Sequence, residues 1–280
     1  MANFWSREIW RYNIIQSVNS KMKIAAVIAL ESRLKACKNV FTLGVKTDFS
    51  DYSPEQAELI RKADKIYYPS VFYADLFNAM GKPTFPSYHT YKCVQDKIKQ
   101  TALFNLSGLP HPRTRIFYGR HKSEIPDFFD FPFIAKIPRG SARGQGVFFI
   151  RNAQDLADYC RKTPVAYIQE YLPIDRDMRI VVIGSSVIHA YWRMSAPGEY
   201  RSNVAMGGKI SLAPLPQQAV ELALYAAQTC GWDDVGIDIC LHDGKFYILE
   251  GNMKYGREGF KAAGMDYISI MESLIEDGKI

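Results

Sequence analysis

The sequence predicts a small α/β domain with a parallel sheet, followed by a larger α+β domain built on antiparallel sheets. Three observations carry this. Short apolar runs alternate with helix signals through the first ninety residues, the pattern of a parallel layer. Beyond Pro112 the apolar runs follow one another with few helices between them, as hairpins do. The composition, 48% apolar and 23% charged over 280 residues, excludes a disordered chain, a collagen-like repeat and a disulfide miniprotein. The longest apolar run, Ile24–Leu30, has seven residues, against about 20 for a membrane-spanning helix. The expectation is a soluble globular protein. Cys37, Cys93, Cys160, Cys230 and Cys240 are scattered, with no CxxC pair. That argues against a disulfide framework or a cysteine zinc site and fits a reducing compartment.

Residues 1–20 read as a surface-docking extension. They have no apolar h-region or small-residue cleavage site, and Phe4, Trp5, Ile9, Trp10, Ile14 and Ile15 spread around a helical wheel. Without a targeting signal, the expected location is cytoplasmic. Residues 21–88 form the small domain: strands at Ile24–Leu30, Val40–Val45 and Lys65–Tyr68, and helices at about 54–63 and 72–80. Ser53-Pro54-Glu55-Gln56 is a strong helix start, with Ser as N-cap, Pro at the first helical position and Gln closing a capping box. Pro83 and Pro86 mark the boundary near 88. Residues 89–280 form the second domain, with lobes of about 89–170 and 171–280. It opens with a helix from about Tyr91 to Leu106, striped by Val94, Ile98, Leu103 and Leu106 and ended by Gly108. Strands follow at Phe131–Ile137, Gly146–Ile150, Ala166–Tyr171, Arg179–Ile183, Val187–Met194, Val235–Leu241 and Lys245–Leu249. Helices are expected at about 155–161 and 216–230.

The net charge of +6 is unevenly spread: Lys82–Arg151 holds twelve Lys/Arg and four Asp/Glu, leaving the rest at −2. Such a block attracts anions, either nucleotide phosphates or nucleic acid. Its interleaving with Gly, Pro and apolar residues favours a folded pocket over a nucleic-acid tail.

Several residues stand out chemically. Lys136 lies inside the apolar strand Phe131–Ile137, where it either pairs with an anion or occupies the solvent face opposite Phe133, Ala135 and Ile137. Gly140-Ser141-Ala142-Arg143-Gly144-Gln145-Gly146 joins two strands and has the glycine content of an anion-cradling loop. It lacks the Gly-Lys-Ser/Thr ending of a P-loop. Near the C-terminus, Glu250 and Asn252 are two apart and share a strand face. A two-residue Asp243-Gly244 turn pairs Asp238 with residue 249, on the opposite face. A three-residue His242-Asp243-Gly244 loop pairs it with residue 248 and puts all three on one face. Two carboxylates and an amide oxygen on one face make a hard-cation site suited to Mg²⁺. Arg193 and Arg201 are candidates to contact a transferred phosphoryl group. His189 sits in an apolar strand and reads as structural. There is no Gly-x-Ser-x-Gly and no HExxH, so neither a hydrolytic triad nor a zinc protease is expected.

Taken in order, Asp96-Lys97, Phe-Ile-Ala-Lys136, Gly140-Ser-x-x-Gly144-x-Gly146-Val, Gln169-Glu170-Tyr171, Asp177-Met-Arg179, Tyr200-Arg201-Ser202-Asn203 with Gly207-Gly208, Val235-Gly-Ile-Asp238 and Leu249-Glu250-Gly-Asn252 resemble the ATP-grasp superfamily, in particular the RimK-like carboxylate–amine ligases. The likeness covers roughly residues 80–270. It implies an ATP-grasp fold of two lobes gripping ATP, preceded by a small α/β pre-ATP-grasp domain. It implies that Lys97 and Lys136 hold phosphates and that the loop of Gly140, Ser141, Gly144, Gln145 and Gly146 closes over them. Glu170, Tyr171 and Leu172 would line the adenine slot, with Asp177 near the ribose. Asp238, Glu250 and Asn252 would bind Mg²⁺, or Mn²⁺ in its place, and Arg179, Arg193, Arg201 and Asn203 would face an acyl phosphate.

The implied activity is ATP-dependent joining of a carboxylate to an amine, with ADP and phosphate released. Small-molecule or peptide carboxylates and amines are the implied substrates. Membrane partners are not expected, nucleic acid is disfavoured, and a homodimer is compatible. Two other readings are an ATP-binding protein without ligase activity and a phosphotransferase on the same fold. After Asn252 the chain departs from the family: Met253-Lys254-Tyr255-Gly256 stands where Ser/Ala-Ser-Pro-Gly is usual. The resemblance places that stretch beside the acceptor site, and the first domain is compact, so the substrate is expected to differ.

Overall fold

The computed structural model describes residues 27–140, 146–195 and 208–280. The chain forms two compact units, residues up to 88 with 268–278, and residues 89–267 with 279–280.

In the first unit, β1 (Val27–Ala29), β2 (Val40–Thr42), β3 (Ile66–Tyr67) and β4 (Thr84–Phe85) form an all-parallel sheet of order β2-β1-β3-β4. The helix Pro54–Lys62 starts at Ser53 with the expected reciprocal capping box to Gln56. A second helix spans Val71–Ala79. Ile28, Leu30, Ile60, Ile66, Tyr73 and Phe77 form the core. β2 and β3 are shorter than the runs Val40–Val45 and Lys65–Tyr68 suggested. β4, hidden by its flanking prolines, is an edge strand, where a missing N–H costs little. Residues 268–278, which the sequence reading placed in the second domain, count with the first unit. Lys38 N and Asn39 Nδ2 donate to Glu272 Oε1 (2.5 Å) and Glu272 O (3.0 Å).

The second unit holds two antiparallel sheets. The first, of order β5-β8-β6-β7, contains β5 (Thr114–Tyr118), β6 (Phe133–Lys136), β7 (Val147–Ile150) and β8 (Val165–Glu170). Phe117, Phe133, Ala135, Ile150, Tyr159 and Ile168 fill its core. The second, of order β11-β10-β9-β12-β13, contains β9 (Arg176–Ile183), β10 (Ser186–Met194), β11 (Lys209–Ser211), β12 (Asp234–His242) and β13 (Lys245–Asn252). The Gln217–Cys230 helix packs on it, against β9, β10 and β12. β5 escaped the sequence reading because Thr-Arg-Ile-Phe-Tyr alternates exposed and covered positions without an apolar run.

The helix expected over 91–106 is two helices, Tyr88–Cys93 and Lys97–Ser107. Asp96 causes the break: its carboxylate accepts from Ile98 N (3.0 Å) and Lys99 N (3.3 Å), the bonds of an N-cap. The inward face is also different. Gln100, Thr101 and Phe104 are buried, whereas Leu106 is 85% exposed. A search for an apolar stripe misses this face because it meets a polar site.

Candidate active site

The site is built on one face of the five-stranded sheet, and its register comes from an irregular hairpin. β12 and β13 join through a two-residue turn, with Asp243 and Gly244 at φ +47° and +73° and His242 paired with Lys245. Positive φ at both positions is the type I′ geometry, and glycine adopts it without strain. Neither sequence alternative describes the outcome. A regular ladder from this turn would set Asp238 opposite Leu249 and turn Glu250 away. The register instead shifts between Asp238 and Ile239, so that Ile239 pairs with Ile248 and Asp238 pairs with Glu250. Leu249 is the extra residue of a β-bulge. The bulge puts Asp238, Glu250 and Asn252 together: Asn252 Nδ2 donates to Glu250 Oε1 (2.9 Å) and to Asp238 Oδ2 (3.3 Å).

Asp238 is 2% exposed, and two arginines hold it. Arg179, its direct partner on β9, grips it through Nε and through Nη2 at 2.9 Å. Arg193 on β10 grips Asp177 through Nε (2.7 Å) and Nη2 (2.8 Å) and also reaches Asp238 Oδ2 at 2.8 Å. All four side chains are buried. Isolated, each charge would be costly here; alternating in sign with bidentate geometry, they compensate one another. Asp177 therefore stands among the arginines, with both carboxylate oxygens accepting from Arg193.

Two lysines approach from the other elements. Lys97, first residue of the Lys97–Ser107 helix, lies 3.2 Å from Glu250 Oε2. Asp96 holds the helix start and also pairs with Arg139 Nε at 2.8 Å. Gln100, one turn on, fixes the helix to β13. Its amide donates to Gly251 O (3.0 Å) and Val94 O (2.7 Å) and accepts from Gly251 N (2.8 Å). Lys136 ends β6 at 7% exposure, so both faces of that strand are covered and the solvent-face alternative is excluded. Its ammonium lies 5.8 Å from the Tyr167 ring centroid, and Tyr159 Oη donates to its carbonyl at 2.7 Å. Burial pushes the Lys136 amine down, with Glu250 and Asp238 opposing and Lys97 adding to the effect. Burial likewise works to raise the Glu250 carboxyl, but Lys97, Lys136 and the Asn252 amide outweigh it and hold it at about 2. Glu250 is thus a carboxylate across the physiological range. Burial pushes Tyr167 up to about 12, and its hydroxyl bonds Thr101 Oγ1 at 2.7 Å.

The remaining expected residues are placed as follows. Glu170 ends β8; its carboxylate accepts from Arg113 N at 2.6 Å. Tyr171 and Leu172 are half-buried beyond it, with Tyr171 packed 4.8 Å from the Phe149 ring. Gly140 is exposed at φ +69°, and the Gly146 carbonyl accepts from Ile137 N at 2.7 Å. Ser141, Gly144, Gln145, Arg201 and Asn203 lie outside the described residues. Gln100, Tyr159, Tyr167 and Tyr255 were missed. Their roles depend on partners 6 to 151 residues away, and no local motif signals them. The departing segment is itself structural: Met253 and Tyr255 are buried and Lys254 is exposed.

Among the described residues no three His, Cys, Asp or Glu side chains gather as a metal cluster. The donor set at β12–β13 is two carboxylates and an amide, all oxygen donors once the Asn252 amide is turned, and amide orientation is set by its partners. That chemistry fits a hard divalent cation. Glu250 is ionised and faces the Lys97 ammonium at 3.2 Å.

Comparison with known proteins agrees with this architecture. The model of the RimK-like ATP-grasp domain matches residues 94–275. Beta-citrylglutamate synthase B of Danio rerio is 33% identical over 180 residues, 60% of this chain and 44% of that protein. A probable alpha-L-glutamate ligase of Citrobacter koseri is 31% identical over 193 residues, 65% of this chain and 63% of the relative. The chain thus matches about half the length of the first of these. The ATP-grasp ligase PsnB, solved with minimal precursor, Mg and ADP, superposes with a TM-score of 0.67 at 17% identity, over 91% of this chain and 99% of that one. At that identity the likeness shows the ATP-grasp fold. With the family model covering well over half the sequence, the chain belongs to the RimK-like ATP-grasp family.

Proposed function

We propose that this chain is an ATP-dependent carboxylate–amine ligase working through an acyl phosphate. The observation that carries the proposal is the convergence of Asp238, Glu250 and Asn252 with Lys97, Lys136 and Arg179 on one sheet face. A carboxylate oxygen of the first substrate attacks the γ-phosphorus of ATP, and the bond to the ADP oxygen breaks. The amine nitrogen of the second substrate then attacks the acyl carbon. The C–N bond forms, the C–O bond to phosphate breaks, and the proton lost by the amine passes to solvent.

The chain's part is positioning and charge compensation. Lys97 and Lys136 bear on phosphate oxygens, Lys97 in exchange for its present partner Glu250. Arg179 has five N–H donors. Two bond Asp238 and one bonds the Tyr255 carbonyl. Among the described residues, one N–H on each terminal nitrogen is therefore left for the reacting groups. Arg193 and Asp177 form the buried support beneath Asp238. Mg²⁺ held by Asp238, Glu250 and Asn252 would supply neutralisation of the phosphate charge.

The relatives suggest which substrates to try first. The Danio rerio protein is named for citrylglutamate and the Citrobacter koseri protein for L-glutamate, so glutamate is the first amine. PsnB was solved with a peptide precursor, so peptide carboxylates belong in the pool. The location we propose is cytoplasmic, supported by five free cysteines. Among the described residues no helix is long and apolar enough to cross a membrane.

The test is ³¹P NMR of the protein with Mg·ATP, di- and tricarboxylates, amino acids and short peptides. ADP and phosphate are expected only when both an acid and an amine are present, with none from Glu250→Gln. AMP and pyrophosphate would overturn the proposal. A stable phosphorylated product without amine would replace it by phosphotransfer, and bound ATP without turnover by a non-catalytic role.

A further inference from the structure

We infer that Tyr255, in the segment where this chain departs from its family, is a positioning residue that sets the direction of Arg179. The inference rests on the ligase reading for its catalytic consequence, but its structural content stands on geometry alone.

Asp238 grips Arg179 along one edge, through Nε and Nη2. The other terminal nitrogen, Nη1, donates to the backbone carbonyl of Tyr255 at 3.0 Å, in a buried bond. With both contacts made, the guanidinium plane is fixed and, among the described residues, one N–H is left on each terminal nitrogen. Those two form the end-on fork that matches two oxygens of a phosphoryl or carboxylate group. With the Asp238 contact alone, Nη1 would be free to draw water or another acceptor.

The Tyr255 carbonyl has a definite place because its side chain is anchored. The ring is 3% exposed, and its hydroxyl donates to Asp234 Oδ1 at 2.7 Å. Asp234 is fully buried at the start of β12. Between Asp234 and Asp238 on the same strand face lies Gly236. A Cβ there would sit 2.5 Å from Tyr255 Cβ and 2.9 Å from Arg179 Cδ, closer than real side chains pack. Three positions of one strand, spaced by two, therefore act together: Asp234 anchors the tyrosine, Gly236 lets tyrosine and arginine meet, and Asp238 takes the guanidinium edge. Nothing in the Met-Lys-Tyr-Gly sequence announces this, because the contact to Arg179 is made by a backbone atom.

The experiment compares wild type with Tyr255→Phe, which keeps the ring and removes the anchor. Hydrogen exchange of the Arg179 Nε–H is followed by ¹⁵N NMR of arginine-labelled protein, the signal being assigned by its absence in Arg179→Lys. Exchange is expected to accelerate at least tenfold. In the ligase assay, kcat is expected to fall about tenfold with the KM for ATP within twofold of wild type. Because Tyr255→Phe takes one donor from a buried carboxylate, the double variant Tyr255→Phe/Asp234→Asn, which neutralises that carboxylate, serves if the single variant does not fold. A folded Tyr255 variant with wild-type exchange overturns the inference, as does one whose loss lies in KM rather than kcat. Should the wild-type protein show no ligation at all, the ligase reading fails, and the exchange measurement still decides whether Tyr255 holds Arg179.

Discussion

Replacing Glu250 by Gln tests the electrostatics of the site without needing its substrate. The two side chains have nearly the same shape, so the change removes charge from a place faced by Lys97 at 3.2 Å and by the buried Lys136. The folded protein holds the Glu250 carboxyl at about 2 against an ordinary 4.5. At about 1.4 kcal/mol per pH unit that difference is worth about 3 kcal/mol, an upper figure because the side chain is partly solvated. A carboxyl lowered by folding stabilises the protein above its unfolded value. That stabilisation is lost as pH falls through the folded value. The contribution should therefore be complete above pH 4.5, fall by about half near pH 3, and vanish below pH 2. Urea unfolding of wild type and Glu250→Gln at pH 7 should differ by about 2–3 kcal/mol, and the two curves should converge as the pH is lowered. Coincident curves at pH 7, or a gap unchanged at pH 3, would refute the reasoning: the lysines would then not be acting on Glu250.

Two further substitutions probe neighbouring parts of the site. Gln100→Leu removes three buried hydrogen bonds, two of them to Gly251, and leaves backbone groups unsatisfied at about 1–3 kcal/mol each. A loss of about 2–4 kcal/mol is expected in denaturant unfolding, with a loss below about 1 kcal/mol counting against the contact. Lys136→Met exchanges a buried ammonium, disfavoured by its surroundings, for an apolar chain of similar length. Stability at pH 7 should stay within about 1 kcal/mol of wild type, while ATP-dependent turnover falls at least a hundredfold. A large loss of stability would mean that the Lys136–Glu250 attraction outweighs the cost of burying the charge.

Local signals in the sequence carried much of the fold. The Ser53-Pro54-Glu55-Gln56 capping box is present atom for atom because its partners are three residues apart. The strands carrying Lys136, Asp238 and Glu250 were legible as apolar runs interrupted by charge, whereas the strand that holds Asp177 begins at Arg176, three residues before the expected Arg179. Their identity as a site was readable because the chemistry of phosphate and metal demands cations and oxygen donors on strands that are otherwise apolar. By contrast, the helix beginning at Lys97 was misjudged. Its buried face is Gln100, Thr101 and Phe104, and polarity normally marks an outward face.

Residue types and short spacings thus determined the elements, the charged positions within them and the family to which the chain belongs. Tertiary structure alone decided how those positions meet. The Leu249 bulge brings Glu250 opposite Asp238 across a turn that would otherwise separate them, and a bulge depends on what both strands pack against. Arg193 holds Asp177 through two bonds, a meeting that rests on the register of β9 against β10. The Tyr255 carbonyl that meets Arg179 belongs to the backbone, which every residue shares. Only folding, by burying the tyrosine against Asp234 and packing it with Arg179 over Gly236, gives that one carbonyl a place in the site.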